Sequence, residues 1–155
     1  NEYEAVPNRV QRSLSDFCCL SGAEIVIGTH PHVVQSLETV KDSSGRIVGM
    51  TAYSLGNFVS NQRQPGTDGG ISVRIGLTLS EETNKTEYIP EYLIHWTAIM
   101  KDHKSRSGHR YEIIPAYAEE TLPENLRPGL NRFVERTRRY MSRYNSGFRE
   151  ITCGF

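Results

Sequence analysis

The chain has 155 residues, 37% of them hydrophobic, and a compact chain of that length buries roughly two-thirds of its unfolded surface. Lysine plus arginine equals aspartate plus glutamate at 18 each, so the net charge is zero and no global field directs the chain to nucleic acid or to a membrane. No apolar run reaches the roughly 18 residues of a transmembrane helix, and no basic, apolar and small-residue series marks a signal peptide.

The opening residues Asn1-Glu2-Tyr3-Glu4 lack a methionine start and read as part of a piece excised from a longer protein. Residues 8–21 follow Pro7 and end at Gly22, with Val10, Leu14, Phe17, Cys18 and Leu20 mainly three and four apart, which predicts an amphipathic helix. Cys18, Cys19 and Cys153 fit neither a zinc knuckle nor a disulfide framework and read as buried small apolar residues. Ala23-Glu24-Ile25-Val26-Ile27-Gly28, β-branched and bounded by glycine, predicts a short strand buried on both faces.

Residues 33–40 and 46–54 read as extended segments around the turn Asp42-Ser43-Ser44-Gly45, and the polar stretch 55–68, with Pro65, reads as a loop. Ile71, Val73, Ile75, Leu77 and Leu79 alternate with small or polar residues, predicting a strand with one buried face. Tyr92, Ile94, Trp96, Ala98 and Met100 alternate again after a turn at 80–85, with Pro90 marking an edge or a bulge. A polar tip at 101–108 then leads to a strand over 110–114. Leu130, Phe133, Val134, Thr137, Tyr140, Met141 and Tyr144 mark one face of a terminal helix over 127–146. The order predicts one domain, 1–155, an α/β or α+β sandwich of mostly antiparallel strands between an N-terminal and a C-terminal helix, with strands and a loop over 81–126.

The candidate site is the turn Gly28-Thr29-His30-Pro31-His32. It follows a strand that fixes the backbone, and Pro31 restricts φ and helps to aim both imidazoles. Imidazole suits zinc, iron and manganese, but two histidines need carboxylate, amide or further histidine partners. An arbitrary His-x-His pair is more often a pair of ordinary loop histidines.

The surroundings carry more. Residues 23–33 (AEIVIGTHPHV), followed after a hairpin by residues 53–58 (YSLGNF), resemble the bacterial capsule-synthesis family of the poly-γ-glutamate CapA (PGA_cap) type, a branch of the calcineurin-like metallophosphoesterases. That family has a Gly-His-His-Pro-His turn, then Tyr-Ser-Leu-Gly-Asn-Phe, with His-Trp-Gly-x-Glu-Tyr ahead of the helix; Asn1-Glu2-Tyr3 matches the end of the last motif. The resemblance spans residues 1–80 and implies the C-terminal part of a calcineurin-like fold.

It further implies that His30 and His32 are the C-terminal ligands of a divalent metal (Mn, Fe or Zn), with Glu2 an active-site carboxylate and Asn57 a polar group near the substrate. Asn57 is read equally well as a turn residue after Gly56, and Tyr53 and Phe58 as core. Thr29 stands where the family commonly has another histidine. The family's remaining ligands belong to upstream motifs absent from the sequence, so the metal site is expected to be incomplete and the piece inactive alone.

The resemblance implies a metal-dependent, phosphoesterase-like hydrolase of the bacterial cell envelope acting in capsule synthesis; the alternative is a non-catalytic polymer-binding or assembly module. Its expected partners are an anionic capsule polymer or phosphoester, the missing N-terminal part of the protein and, through exposed sheet, further copies of itself; nucleic acid is not among them. His95, His103 and His109 leave room for a second metal site, with Asp102 as the carboxylate at a ligand spacing. The arginines from Arg127 to Arg149 read as a solvated helix face that an anionic polymer or lipid headgroup could also use. Neither a phosphate-cradling glycine motif nor a Gly-x-Ser-x-Gly elbow is found.

Overall fold

A computed structural model of the chain describes residues 2–154; Asn1 and its place in the upstream motif lie outside them. Helix α1 (Arg9–Leu20) begins where Asn8 caps it. The Asn8 side chain accepts from the Gln11 N–H while the Gln11 side chain accepts from the Asn8 N–H, both at 3.0 Å, so two otherwise orphaned donors are satisfied reciprocally. Strands β1 (Ile25–Ile27), β2 (Leu37–Lys41) and β3 (Ile47–Ala52) follow, with the Asp42 carboxylate closing the β2–β3 turn by accepting from the Ser44 and Arg46 N–H groups. Next come β4 (Gly69–Ser80), β5 (Lys85–Lys101), β6 (His109–Pro115), a 3-10 helix at Ala116–Thr121, α2 (Arg127–Tyr144), β7 (Asn145–Ser146) and β8 (Arg149–Glu150).

Two sheets result. In the first, of order β1-β3-β2-β7, β1 runs parallel to β3, β2 antiparallel to β3, and β7 parallel to β2. The second is the antiparallel meander β4-β5-β6, with β8 added parallel to β5. Bridges Val34–Leu55 and Gly56–Gly70 join the sheets, and α2 packs on β5 and β2. Leu37 and Met50 of the first sheet share one core with Ile94 and Trp96 of the second and with Leu130, Phe133 and Met141 of α2. The architecture is a mixed α/β sandwich, as composition and periodicity lead one to expect.

Pro90 faces Ile75 in unbroken β4–β5 register. The strands on the other side of β5 start at Glu91, so Pro90 sits in an edge position where no ladder bond needs its missing N–H. Glu91 is itself buried, and the Arg149 and Arg74 guanidiniums hold its carboxyl below the usual range. That ion triad ties β8 to the sheet.

Burial departs from expectation around the first helix and strand. Ile25 and Ile27 are 39% and 52% exposed, so β1 is not buried on both faces but forms an uncovered parallel edge. The apolar residues of α1 are open as well, at 75% for Val10, 66% for Phe17 and 89% for Leu20. The helix docks by its polar side instead: Ser15 Oγ lies 2.8 Å from Thr51 Oγ1, Arg12 pairs with Glu38 at 3.0 Å, and Gln11 donates to Gln35. Helix and strand together thus present an apolar face with nothing over it, and such a face drives association. The 155-residue chain is expected to self-associate in sedimentation velocity, and Leu14→Glu with Phe17→Glu to return it to monomer without lowering its melting temperature, because neither side chain is packed.

Three smaller corrections also concern burial. Cys18 and Cys19 are half-buried and Cys153 is exposed, so none is a core residue. The far end of the β4–β5 hairpin extends past the core, leaving Leu77 and Leu79 open although their alternation predicts a buried face. Phe58 is exposed too, whereas Tyr53 is core.

Candidate functional site

The histidine turn is positioned by backbone. Gly28 continues the parallel ladder past β1 by donating to the Ala52 carbonyl at 2.7 Å, and a Cβ there would lie 2.4 Å from the Tyr53 carbonyl oxygen, so only glycine permits the approach. The buried Ser54 hydroxyl donates to the Pro31 carbonyl at 2.9 Å and fixes the far side of the turn. His32 then donates its backbone N–H to the Glu2 carbonyl at 2.7 Å, which holds the N-terminal segment against the turn.

The His32 ring is oriented by Asn57. Its Nδ1 lies 2.9 Å from Asn57 Oδ1, and the amide's orientation follows from its other partners. Asn57 Nδ2 lies 2.8 Å from the Thr67 carbonyl, which can only accept, and donates also to Ser60 Oγ and Gln62 Oε1. The amide oxygen therefore faces His32 Nδ1, so that in the neutral ring Nδ1 carries the hydrogen and Nε2 the lone pair. That nitrogen lies 3.9 Å from Glu2 Oε2, and the Tyr3 ring lies tilted beside the imidazole at 5.8 Å. Composition alone makes residues 55–68 a polar loop. Ser60, Gln62 and Thr67 prove to be the acceptors that set the amide, and the concentration of short polar residues after Gly56 is the signal that marks them.

Gly70 supports the same arrangement from beneath. A Cβ on it would meet the Leu55 carbonyl oxygen at 2.4 Å and the Asn57 carbonyl oxygen at 2.8 Å, so the β4 backbone carries the Asn57 segment directly. His95, paired with Gly70 across the β4–β5 ladder, is 2% exposed, with its ring edge against Phe58 at 5.1 Å and its Nε2 unpartnered. Burial pushes its pKa down to about 4, so it is neutral at physiological pH. His103 and His109 are exposed at the other end of the sheet, near the β5–β6 tip, and no second cluster forms with His95.

His30 is placed differently from His32. It is exposed, makes no hydrogen bond or ion pair among the described residues, and has φ of 102°, a region that costs a residue with a Cβ of order 1–3 kcal/mol. Strain of this kind persists where the surroundings impose it. His30→Gly is expected to raise stability by about 1 kcal/mol, read as a higher melting temperature. A lower one would mean that the ring supplies a contact outweighing the strain.

The structure thus brings together Glu2, His32 and Asn57. Among the described residues no three histidine, cysteine, aspartate or glutamate side chains converge as a metal ion needs, so His30, His32 and Glu2 are not a closed ligand set. The donors fit part of a divalent-metal site: one imidazole has its tautomer fixed by an amide, a carboxylate stands near, and a second imidazole is on the same turn.

Comparison with known sequences adds the family. The model of the bacterial capsule synthesis protein PGA_cap matches residues 1–62, the stretch containing Glu2, both turn histidines and Asn57. Residues 1–62 are PGA_cap-family sequence. Capsule biosynthesis protein CapA of Bacillus anthracis and PGA biosynthesis protein CapA of Bacillus subtilis (strain 168) are each 41% identical to this chain over 61 residues, 39% of it. The aligned stretch spans 13% of the first relative and 14% of the second. No solved structure matches the chain. The PGA_cap match ends in the loop before β4, so the meander and α2 lie beyond it.

Two clefts meet at α2. One, of about 260 Å³, runs from Tyr3, Val33 and Val34 to Arg136 and Tyr140 of α2, and the Tyr140 hydroxyl donates to the Ala5 carbonyl. The other, of about 420 Å³, lies along α2 between Arg132 and Tyr144. Both are lined by Arg136 and Tyr140.

Proposed function

We propose that the protein belongs to capsule or poly-γ-glutamate biosynthesis at the bacterial cell envelope, and that its histidine turn is part of a metal-dependent hydrolytic site for a phosphoester or related bond. The observation that carries this reading is the Asn57–His32 bond. An amide locked by the Thr67 carbonyl presents His32 Nε2 as a lone-pair donor, the arrangement by which outer partners orient metal-bound histidines. His32 and His30 would hold the ion, Glu2 would stand beside His32, and the remaining ligands would come from outside this chain. A bound Mn, Fe or Zn ion supplies Lewis-acid polarisation of the scissile group and a lowered pKa for water.

The residues present do the positioning. Asn57 keeps the His32 ring in one tautomer and orientation, the Glu2 backbone fixes the turn, and the Glu2 carboxylate stands 3.9 Å away at the same edge of the ring. The uncovered face of α1 and the open edge of β1 support a further proposal, that the rest of a longer protein docks there and brings its ligands to the turn. Among the described residues no helix is long and apolar enough to cross a membrane, so the envelope role rests on the relatives.

The test is metal content and phosphoesterase turnover of the intact protein. Replacing His30 and His32 together by alanine is expected to remove bound metal and to lower turnover at least a hundredfold. Retention of both would sink the reading.

A further inference from the structure

Helix α2 carries arginine at 132, 136, 139 and 143, steps of four, three and four residues. On an α-helix these positions fall within an arc of about 60° and extend for about 16 Å, with charges about 5–6 Å apart along the axis. All four are exposed and none forms an ion pair among the described residues, whereas Arg138, on another side of the helix, is engaged by Glu150 at 2.8 Å. The stripe lines the 420 Å³ cleft, which includes Glu135 as its single acid and the stacked rings of Tyr140 and Tyr144, 4.6 Å apart. Unpaired guanidiniums in a groove backed by aromatic rings are a binding surface for anionic groups rather than a merely solvated face.

We propose that this stripe binds an extended polyanion, a linear chain with a carboxylate or phosphate in each repeat. Charge complementarity fixes the sign, and the regular spacing along a groove favours a chain over a single ion. A lipid surface fits less well, because α2 has no apolar face to insert: Leu130, Phe133, Val134 and Met141 are all buried in the core. The groove continues, through Arg136 and Tyr140, into the cleft that reaches Tyr3 beside His32, so a bound chain would run toward the histidine turn. The stripe lies wholly outside the family-matched residues 1–62, and binding there stands whether or not the turn carries metal.

The experiment measures binding of fluorescent poly-L-glutamate and of polyphosphate to the 155-residue chain by anisotropy across a salt series, with anionic phospholipid vesicles as a third arm. One or both soluble chains are expected to bind, with a log–log salt slope of about −3, as four contacts to a single-stranded polyanion give. Which of the two binds more tightly identifies the anionic group. The variant Arg132→Gln, Arg136→Gln, Arg139→Gln, Arg143→Gln is expected to lose at least tenfold in affinity. A charge-matched control altering Arg9, Lys101, Lys104 and Arg106 to glutamine is expected to change it less than twofold. Circular dichroism of both variants establishes that they are folded. Equal losses in both variants, equal competition by free glutamate or inorganic phosphate, or binding to vesicles but not to soluble chains would each overturn the proposal.

Discussion

Asn57→Ala is expected to lower divalent-metal affinity of the intact protein about 10- to 100-fold without removing a ligand, the range found when the partner of a metal-bound histidine is lost. The cause is orientational. Without the amide oxygen, His32 Nδ1 has no acceptor, the ring is free to rotate, and the proton redistributes between Nδ1 and Nε2. The same substitution removes the donor serving Ser60, Gln62 and Thr67, so about 2 kcal/mol of stability is expected to go with it. Asn57→Asp separates the effects: it keeps an oxygen toward His32 and recovers metal affinity, but leaves the Thr67 carbonyl facing another acceptor and remains destabilised. Chelator competition reads affinity and urea unfolding reads stability. Unchanged metal affinity in Asn57→Ala would remove Asn57 from the site and return it to the role of a turn residue.

The second large effect is a dependence of stability on pH carried by His95. Its pKa is about 4 folded, against roughly 6.5 for an unfolded histidine, so the folded form is the poorer proton binder. Its contribution is therefore complete above pH 6.5 and is lost as the pH falls toward 4, amounting to about 3 kcal/mol over the whole window. Between pH 7 and 4.5 the unfolding free energy is expected to drop by about 2 kcal/mol from this group. Asp42 loses its contribution at lower pH, since hydrogen bonds from Ser44 and Arg46 hold its carboxyl down to about 2. His95→Gln is expected to flatten the drop between pH 7 and 4.5. A profile as steep as that of the unsubstituted chain would assign the effect to other groups.

The elements that sequence predicts well are those whose signal is local. The helix over 8–21 follows from apolar spacing between Pro7 and Gly22, Asp42 to Gly45 form a turn from their own side chains, and the alternation from Ile71 to Met100 forms a long hairpin. Burial of β1 and α1 was not legible, because Ile25, Val26 and Ile27 report how apolar the segment is, not what covers it. The two-residue strands β7 and β8 exist only through pairing with β2 and β5, and no pattern of that length can announce them. At the site, the motif pointed to His32 and Asn57. Their direct bond is a three-dimensional fact that depends on the Thr67 carbonyl ten residues away, and the positive φ of His30 has no sequence mark at all.

The segment from Asn145 to Glu150 pairs with one sheet through β7 and with the other through β8. It joins partners very distant along the chain: Thr39 donates to the Ser146 carbonyl across 107 positions, and Arg149 reaches Glu91 across 58. Contacts of such separation are slow to form, because loop closure must precede any gain from them. The strap over 145–150 is therefore expected to close late in folding, tightening a junction between the sheets that the Val34–Leu55 and Gly56–Gly70 bridges have already begun.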